Sequence, residues 1–159
     1  MQSTGLMLTI AQIAVGLAGF SAIIVTLNAK PIRDWDESDQ LNLRLLIQIS
    51  MYVIFFSLLP PLLAIPFETH LIWMYALWAY GLIHIVDAAF FLMNLAKETP
   101  SIFRNAAISG ACVALIQISI AWLGNDIARE TMYVSTLIWH LGVVFMAFIL
   151  LLYQMRKSD

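Results

Sequence analysis

Five uninterrupted apolar stretches, each near or above twenty residues, dominate the chain and restrict what it can fold into. They run approximately from Gly5 to Asn28, Leu41 to Ile65, Leu71 to Leu95, Ala106 to Gly124 and Met132 to Gln154. Roughly 20 apolar residues in a helix cross the ~30 Å hydrocarbon core of a bilayer, because each residue rises 1.5 Å. The runs are continuous rather than alternating, which favours helices over barrel strands. The short polar segments between them cannot hold a soluble domain. The expected fold is therefore an all-α integral membrane protein, a bundle of five transmembrane helices forming one transmembrane domain over residues 1–159.

Composition agrees. Of 159 residues 62% are hydrophobic and 11% charged, where soluble domains average about 45–50% and 25%. A chain this short cannot bury so much apolar surface within itself. Disorder, collagen, nucleic-acid binding and a disulfide-stapled secreted domain are excluded by the same numbers. The single Cys112 has no partner in the chain and reads as a small apolar residue.

Basic residues set orientation, since Lys and Arg near helix ends stay on the cytoplasmic side. Lys30, Arg33, Arg44, Lys97, Arg104, Arg156 and Lys157 fall on one set of alternating segments, and Arg129 alone falls on the other. That asymmetry requires an odd number of spans, with the N-terminus outside and the C-terminus cytoplasmic. Trp73, Tyr75, Trp122 and Tyr133 lie near the expected outer helix ends, at the headgroup level that Trp and Tyr prefer. Met1–Leu6 has no Lys or Arg, which argues against a cleaved signal peptide. A bacterial cytoplasmic membrane is the expected location. No internal repeat or inverted symmetry is visible, which counts against the common secondary-transporter folds.

Asp87 is the one charged side chain expected deep inside an apolar run. An ionised carboxylate there costs about 2.5–3.5 kcal/mol on insertion scales, so it must be hydrated, protonated or paired. Helical spacing puts Trp73, Tyr80, His84, Asp87, Phe91 and Asn94 on one stripe, with His84 and Asp87 neighbours. An imidazole beside a desolvated carboxylate is chemistry suited to moving protons. The plainer reading is a structural lock, either between His84 and Asp87 or between Asp87 and Arg44, which continues a stripe with Gln40, Gln48 and Tyr52.

His140 shares a face with Tyr133, Thr136 and Ala147. Its depth is within about 6 Å of that of His84, so the two could ligate a b-type haem, although no cofactor is the plainer expectation. His70, beside Glu68, reads as an exposed loop residue. Ala11, Ala14, Ala18 and Ala22 line one face of the first helix, and Gly110, Ala114, Gln117, Ala121 and Gly124 one face of the fourth, where small residues permit close packing. Pro60 and Pro61 should kink the second helix. Ser38 or Asp39 is the expected N-cap of that helix.

Enzymatic readings fail on residue identity. Gly19-Phe20-Ser21-Ala22-Ile23 lacks the second glycine of a nucleophile elbow. Ala107-Ile108-Ser109-Gly110 resembles an intramembrane serine protease signature without its first glycine, and the conceivable base His140 is about 14 Å away in depth. Asp34, Asp36 and Ser38 open like a calcium loop, but Asp39 and Leu45 occupy the positions of its glycine and closing Glu. No metal site is expected.

Three functions remain open. The first is an oligomeric channel or proton- or cation-coupled transport component built on Asp87 and His84, assisted by Arg44, Gln48, His140, Tyr80 and Asn94. The second is an accessory or assembly subunit, and the third a haem-bearing electron carrier. The expected partners are the lipid bilayer and a second copy or another membrane protein, with no nucleic acid.

Overall fold

The computed structural model describes residues 3–27, 30–67, 69–94 and 101–155. Five α-helices account for nearly all of them: α1 (Thr4–Leu27), α2 (Glu37–Leu63), α3 (Thr69–Met93), α4 (Ser101–Leu123) and α5 (Asp126–Met155), with a single 3-10 turn at Ile32–Asp34. No strand occurs among the described residues. All five helices are long and apolar enough to cross a membrane, and between 22% and 39% of each apolar window is buried within the protein. The rest is apolar surface. Val15, Phe20, Val86, Phe90, Leu115 and Ile149 are each more than half exposed on different helices. Surface of that kind is compatible with lipid and not with water, so the chain is a membrane-embedded, multi-pass helical protein.

Helix ends differ from the sequence reading where polar residues join the first turn. α5 begins at Asp126 rather than Met132. The Asn125 side-chain oxygen accepts the Ala128 N–H at 2.9 Å, and Asp126 sits at the positive end of the helix. α2 likewise starts at Glu37, with the Asp36 carbonyl accepting from Asp39 and Gln40. Ser38 and Asp39 are thus inside the first turn rather than capping it. His70 lies in the first turn of α3, not in a loop. Pro60 and Pro61 fall in the last turn of α2, which stays helical to Leu63, so they mark its end rather than a mid-span hinge. Lys97, Arg156, Lys157 and Glu68, which entered the charge and loop arguments, lie outside the described residues, as does the side chain of His70.

Buried positions recur every three and four residues. On α1 they are Met7, Ile10, Ala14, Leu17, Ser21 and Ile24, joined by Ala11. On α2 they are Leu43, Leu46, Ser50, Val53 and Ser57, and on α5 Tyr133, Leu137, His140, Val144, Ala147 and Leu151. A 3.5-residue period keeps one narrow seam against a neighbour in shallow-angle, left-handed helix packing. The alternation explains why Ala18 is only half-buried and Ala22 exposed. Successive steps of four residues drift around the helix, whereas alternating steps of three and four do not.

The chain separates into two compact units. The first comprises Met1–Thr4 and Leu58–Thr136. In it α3 packs along α4, and Ser3, immediately before α1, is tied to Glu130 near the start of α5. The second comprises Gly5–Ser57 and Leu137–Asp159. Its core is Leu17, Ile24, Trp35, Leu43, Leu46, Val144, Ala147 and Leu151. Within this core the Trp35 indole N–H donates to the Lys30 carbonyl, and the Gln40 side-chain amide donates to the Trp35 carbonyl. These two bonds fold the α1–α2 connection back on itself.

Candidate functional site

α3 supplies the centre of the site. Its buried row is Trp73, Leu77, Tyr80, His84 and Ala88, while Asp87 and Phe91 are half-buried and Asn94 is exposed, donating its side-chain amide to the Phe90 carbonyl. The stripe expected from the sequence therefore holds at its Trp73 end and turns outward after His84. Asp87 stays one helical turn from His84 at the edge of the buried row.

His84 is anchored across the helix pair. Its Nδ1 lies 3.1 Å from Gln117 Oε1 on α4. In the tautomer with the proton on Nδ1, the ring donates to the amide oxygen. Gln117 is fully buried, and its Nε2 has no hydrogen-bond partner among the described residues. One turn before His84, Gly81 explains how the two helices come so near. A Cβ at that position would lie 2.9 Å from Ile118 Cγ1 and 3.4 Å from Gln117 Cβ. Gly110, Ala114 and Ala121 continue the buried small-residue face of α4 on either side of Gln117. Small residues bring the backbones together, and only then can a short amide reach an imidazole on the neighbouring helix.

Aromatic rings close the site toward the start of α3. Tyr133 of α5 meets Trp73 at 5.8 Å and Tyr80 at 5.4 Å between ring centroids, both edge-on, and Tyr80 lies 6.3 Å from the His84 ring. Such edge-to-face pairs add about 0.5–1.5 kcal/mol each beyond area burial. Trp78 and Trp122 form another edge-on pair between α3 and α4 at 6.0 Å. The Trp78 indole N–H is buried without a hydrogen-bond partner among the described residues.

The remaining expected residues divide by unit. Arg44 is exposed on α2 and takes part in no ion pair among the described residues. Gln48 is half-buried and donates to the Tyr52 hydroxyl at 3.2 Å. His140 is buried on α5, its ring edge-on to Trp139 at 4.9 Å. Among the described residues no three His, Cys, Asp or Glu side chains gather as a metal site.

Sequence reasoning missed Gly81, whose role depends on the partner helix, and the polar fastening at the ends of α1, α4 and α5. The Arg129 Nε donates to the Ala121 carbonyl in the last turn of α4 at 3.1 Å, and its Nη1 pairs with Asp126 at 3.2 Å. Read as a lone basic residue on one loop, Arg129 is in fact a helix-end cap. Neither a protein-family model, nor a curated protein, nor a solved structure matches this chain, so its membership rests on architecture: it is a five-helix membrane-embedded protein.

Proposed function

We propose that the protein is a proton- or cation-coupled transport component in which Asp87 and His84 carry the titratable chemistry, working as an oligomer. The observation that supports this reading best is the fixed placement of His84: a buried imidazole held through Nδ1 by Gln117, one turn from the half-buried carboxylate of Asp87. A carboxylate at that depth is costly and marks an ion or proton path by default. An imidazole can both accept and donate a proton through its two ring nitrogens, which suits it to pass one on. In this reading the N-terminus is outside and the C-terminus cytoplasmic, in a bacterial inner membrane. The Lys and Arg distribution supports that orientation. The Ser3–Glu130 contact supports it, because it joins the start of α1 to the first turns of α5, on the side poor in basic residues.

The test is flux in proteoliposomes. Asp87→Asn is expected to bring proton or cation flux close to background while the protein stays folded, and His84→Gln to reduce it. Unchanged flux in a folded Asp87→Asn protein rejects the reading.

A second reading, an accessory subunit whose polar contacts only fix helix packing, is favoured by the tight Gly81–Ile118 approach beside the His84–Gln117 bond. It predicts that Asp87→Asn and His84→Gln shift thermal stability in detergent and change no flux. A Soret band lost in His84→Ala or His140→Ala would instead point to bound haem.

A further inference from the structure

Every glycine of α1 and its one amide side chain fall on the face of that helix opposite its buried seam. Gly5, Thr9, Gln12, Gly16 and Gly19 follow one another in steps of four and three residues, and all five are exposed. Bulky side chains flank the row, Leu6, Ile13 and Phe20 along one edge and Leu8 and Val15 along the other, all of them exposed. The row is thus a shallow groove between two apolar ridges. It faces where lipid is expected, yet it is the smallest and most polar surface of the helix.

Gln12 carries the argument. Its side chain is exposed and makes no hydrogen bond among the described residues. The 24 residues of α1 extend about 36 Å, so Gln12 lies about 5 Å from the middle of the span, too deep for its short side chain to reach the headgroups. The other exposed amides among the described residues, Asn94, Asn105 and Asn125, stand beside a helix end or within its first two turns. An amide left unpartnered in hydrocarbon is costly, and the partner available in lipid is a neighbouring helix. The glycines make the same demand independently. A Cβ at Gly5, Gly16 or Gly19 would meet nothing within 4 Å, so no contact within the chain requires their small size, in contrast to Gly81. Glycine in mid-helix loses more backbone entropy than alanine, and a second backbone in close contact offsets that loss. Gly142 of α5 is equally open, but the bulky Ile138 and Phe145 stand one turn to either side of it, and no amide shares its face among the described residues.

We propose that a second copy of this chain docks in this groove, the two α1 helices packing about a two-fold axis with their Gln12 amides hydrogen-bonded across it. Copies inserted the same way in one membrane run parallel, and a two-fold axis then sets each residue opposite itself. A glutamine amide holds both a donor and an acceptor, so it is complementary to its own copy. No charged residue lies on α1 to oppose its own image. The 3.5-residue repeat keeps the row in contact along a shallow left-handed crossing. The Thr9 hydroxyl donates to the Gly5 carbonyl, which leaves its methyl to pack. A single polar pair of this kind also fixes the register of two helices. The face gives the oligomer of the transport reading its contact surface, and it stands whether or not Asp87 and His84 move protons.

Self-association in lipid tests the face apart from transport. The full chain, in a Cys112→Ser background with Arg33→Cys in the exposed α1–α2 connection as the dye site, is reconstituted in phosphatidylcholine vesicles as donor and acceptor copies. Energy transfer is followed as added lipid dilutes the protein. Transfer above the level of random proximity is expected, with association weakened at least about fivefold by Gln12→Leu and at least about tenfold by Gly16→Leu. Both variants should stay folded by circular dichroism, because neither position is packed within the chain. Phe90→Ala, on the exposed face of α3, is expected to leave association unchanged. Random-level transfer in the parent protein overturns the proposal, as does association that Gln12→Leu and Gly16→Leu both leave intact. Association lost in Gly16→Leu but untouched in Gln12→Leu overturns the amide pair. Flux that persists in a monomeric Gly16→Leu protein keeps the α1 face and removes the oligomer from the transport reading. An associating parent that carries no flux keeps the face and rejects transport alone.

Discussion

Ser3 gives both its backbone N–H, at 3.0 Å, and its hydroxyl, at 2.6 Å, to the same carboxylate oxygen of Glu130. A carboxylate placed there satisfies donors at the start of α1 and lies at the positive end of that helix. Two charge-assisted bonds across 127 residues of sequence hold the beginnings of α1 and α5 together. Glu130→Ala is expected to destabilise the protein by about 1–2 kcal/mol, read as a lower midpoint in detergent unfolding. Glu130→Gln, which keeps an acceptor oxygen, is expected to lose less. Equal losses for both would show that the carboxylate charge sets the effect.

Gly81 sets the spacing of α3 and α4. Gly81→Ala puts a Cβ 2.9 Å from Ile118 Cγ1, an inner carbon of a stiff β-branched side chain, so Ile118 or the helix pair must shift, and it is expected to cost about 1 kcal/mol. Gly81→Leu drives a larger side chain into Ile118 and the Gln117 Cβ, with an expected cost of about 1–3 kcal/mol from overpacking. Ile118→Ala combined with Gly81→Leu should recover part of that loss in the same unfolding assay. Failure of the combination to recover any stability contradicts the contact.

The His84–Gln117 bond predicts a coupling energy. Gln117→Leu leaves the buried His84 Nδ1 without its acceptor and is expected to cost about 1–3 kcal/mol. His84→Leu leaves the Gln117 amide without any of its partners. The double variant removes both polar groups and is expected to be less destabilised than the two single losses added together, as a double-mutant cycle reports. Strict additivity would mean that the two side chains do not interact.

Arg129 caps α4 from α5, with its side chain 16% exposed. Arg129→Gln is expected to cost about 1 kcal/mol, chiefly through the Ala121 carbonyl it satisfies. The ion pair with the half-exposed Asp126 adds little because water screens it. Asp126→Asn should therefore be the milder change by thermal unfolding, and a reversal of that order would move the weight to the ion pair.

Threading of the chain is tested by labelling from each side of a sealed vesicle. In a Cys112→Ser background, Ser3→Cys and Asn125→Cys should react from one face and Ser38→Cys from the other. Labelling of Ser3→Cys and Ser38→Cys from the same face would overturn the alternation on which the orientation rests.

The five helices were legible because hydrocarbon admits backbone only when its N–H and C=O groups are satisfied within a segment, so a twenty-residue apolar run has one dominant solution. The starts of α2, α4 and α5 were read too late because hydropathy does not register polar first turns such as Asp126–Thr131. The buried face of α4 with Gln117 was also legible, since small residues at alternating spacing mark a packing seam without reference to the partner. The outward turn of α3 beyond His84 was not. A stripe of side chains on one helix says which residues share a face, and the neighbour decides how much of that face it covers.

The sequence by itself determined that this protein has five membrane-length helices, that Asp87 and His84 lie a turn apart, and that the small residues of α4 form a face. Those properties follow from helix rise, periodicity and the cost of polarity in hydrocarbon, all local along the chain. Only the tertiary structure decided that His84 meets Gln117, that Gly81 admits Ile118, and that Glu130 receives Ser3. Each of these depends on the register and distance of other helices, which a side chain's own neighbours in sequence do not fix.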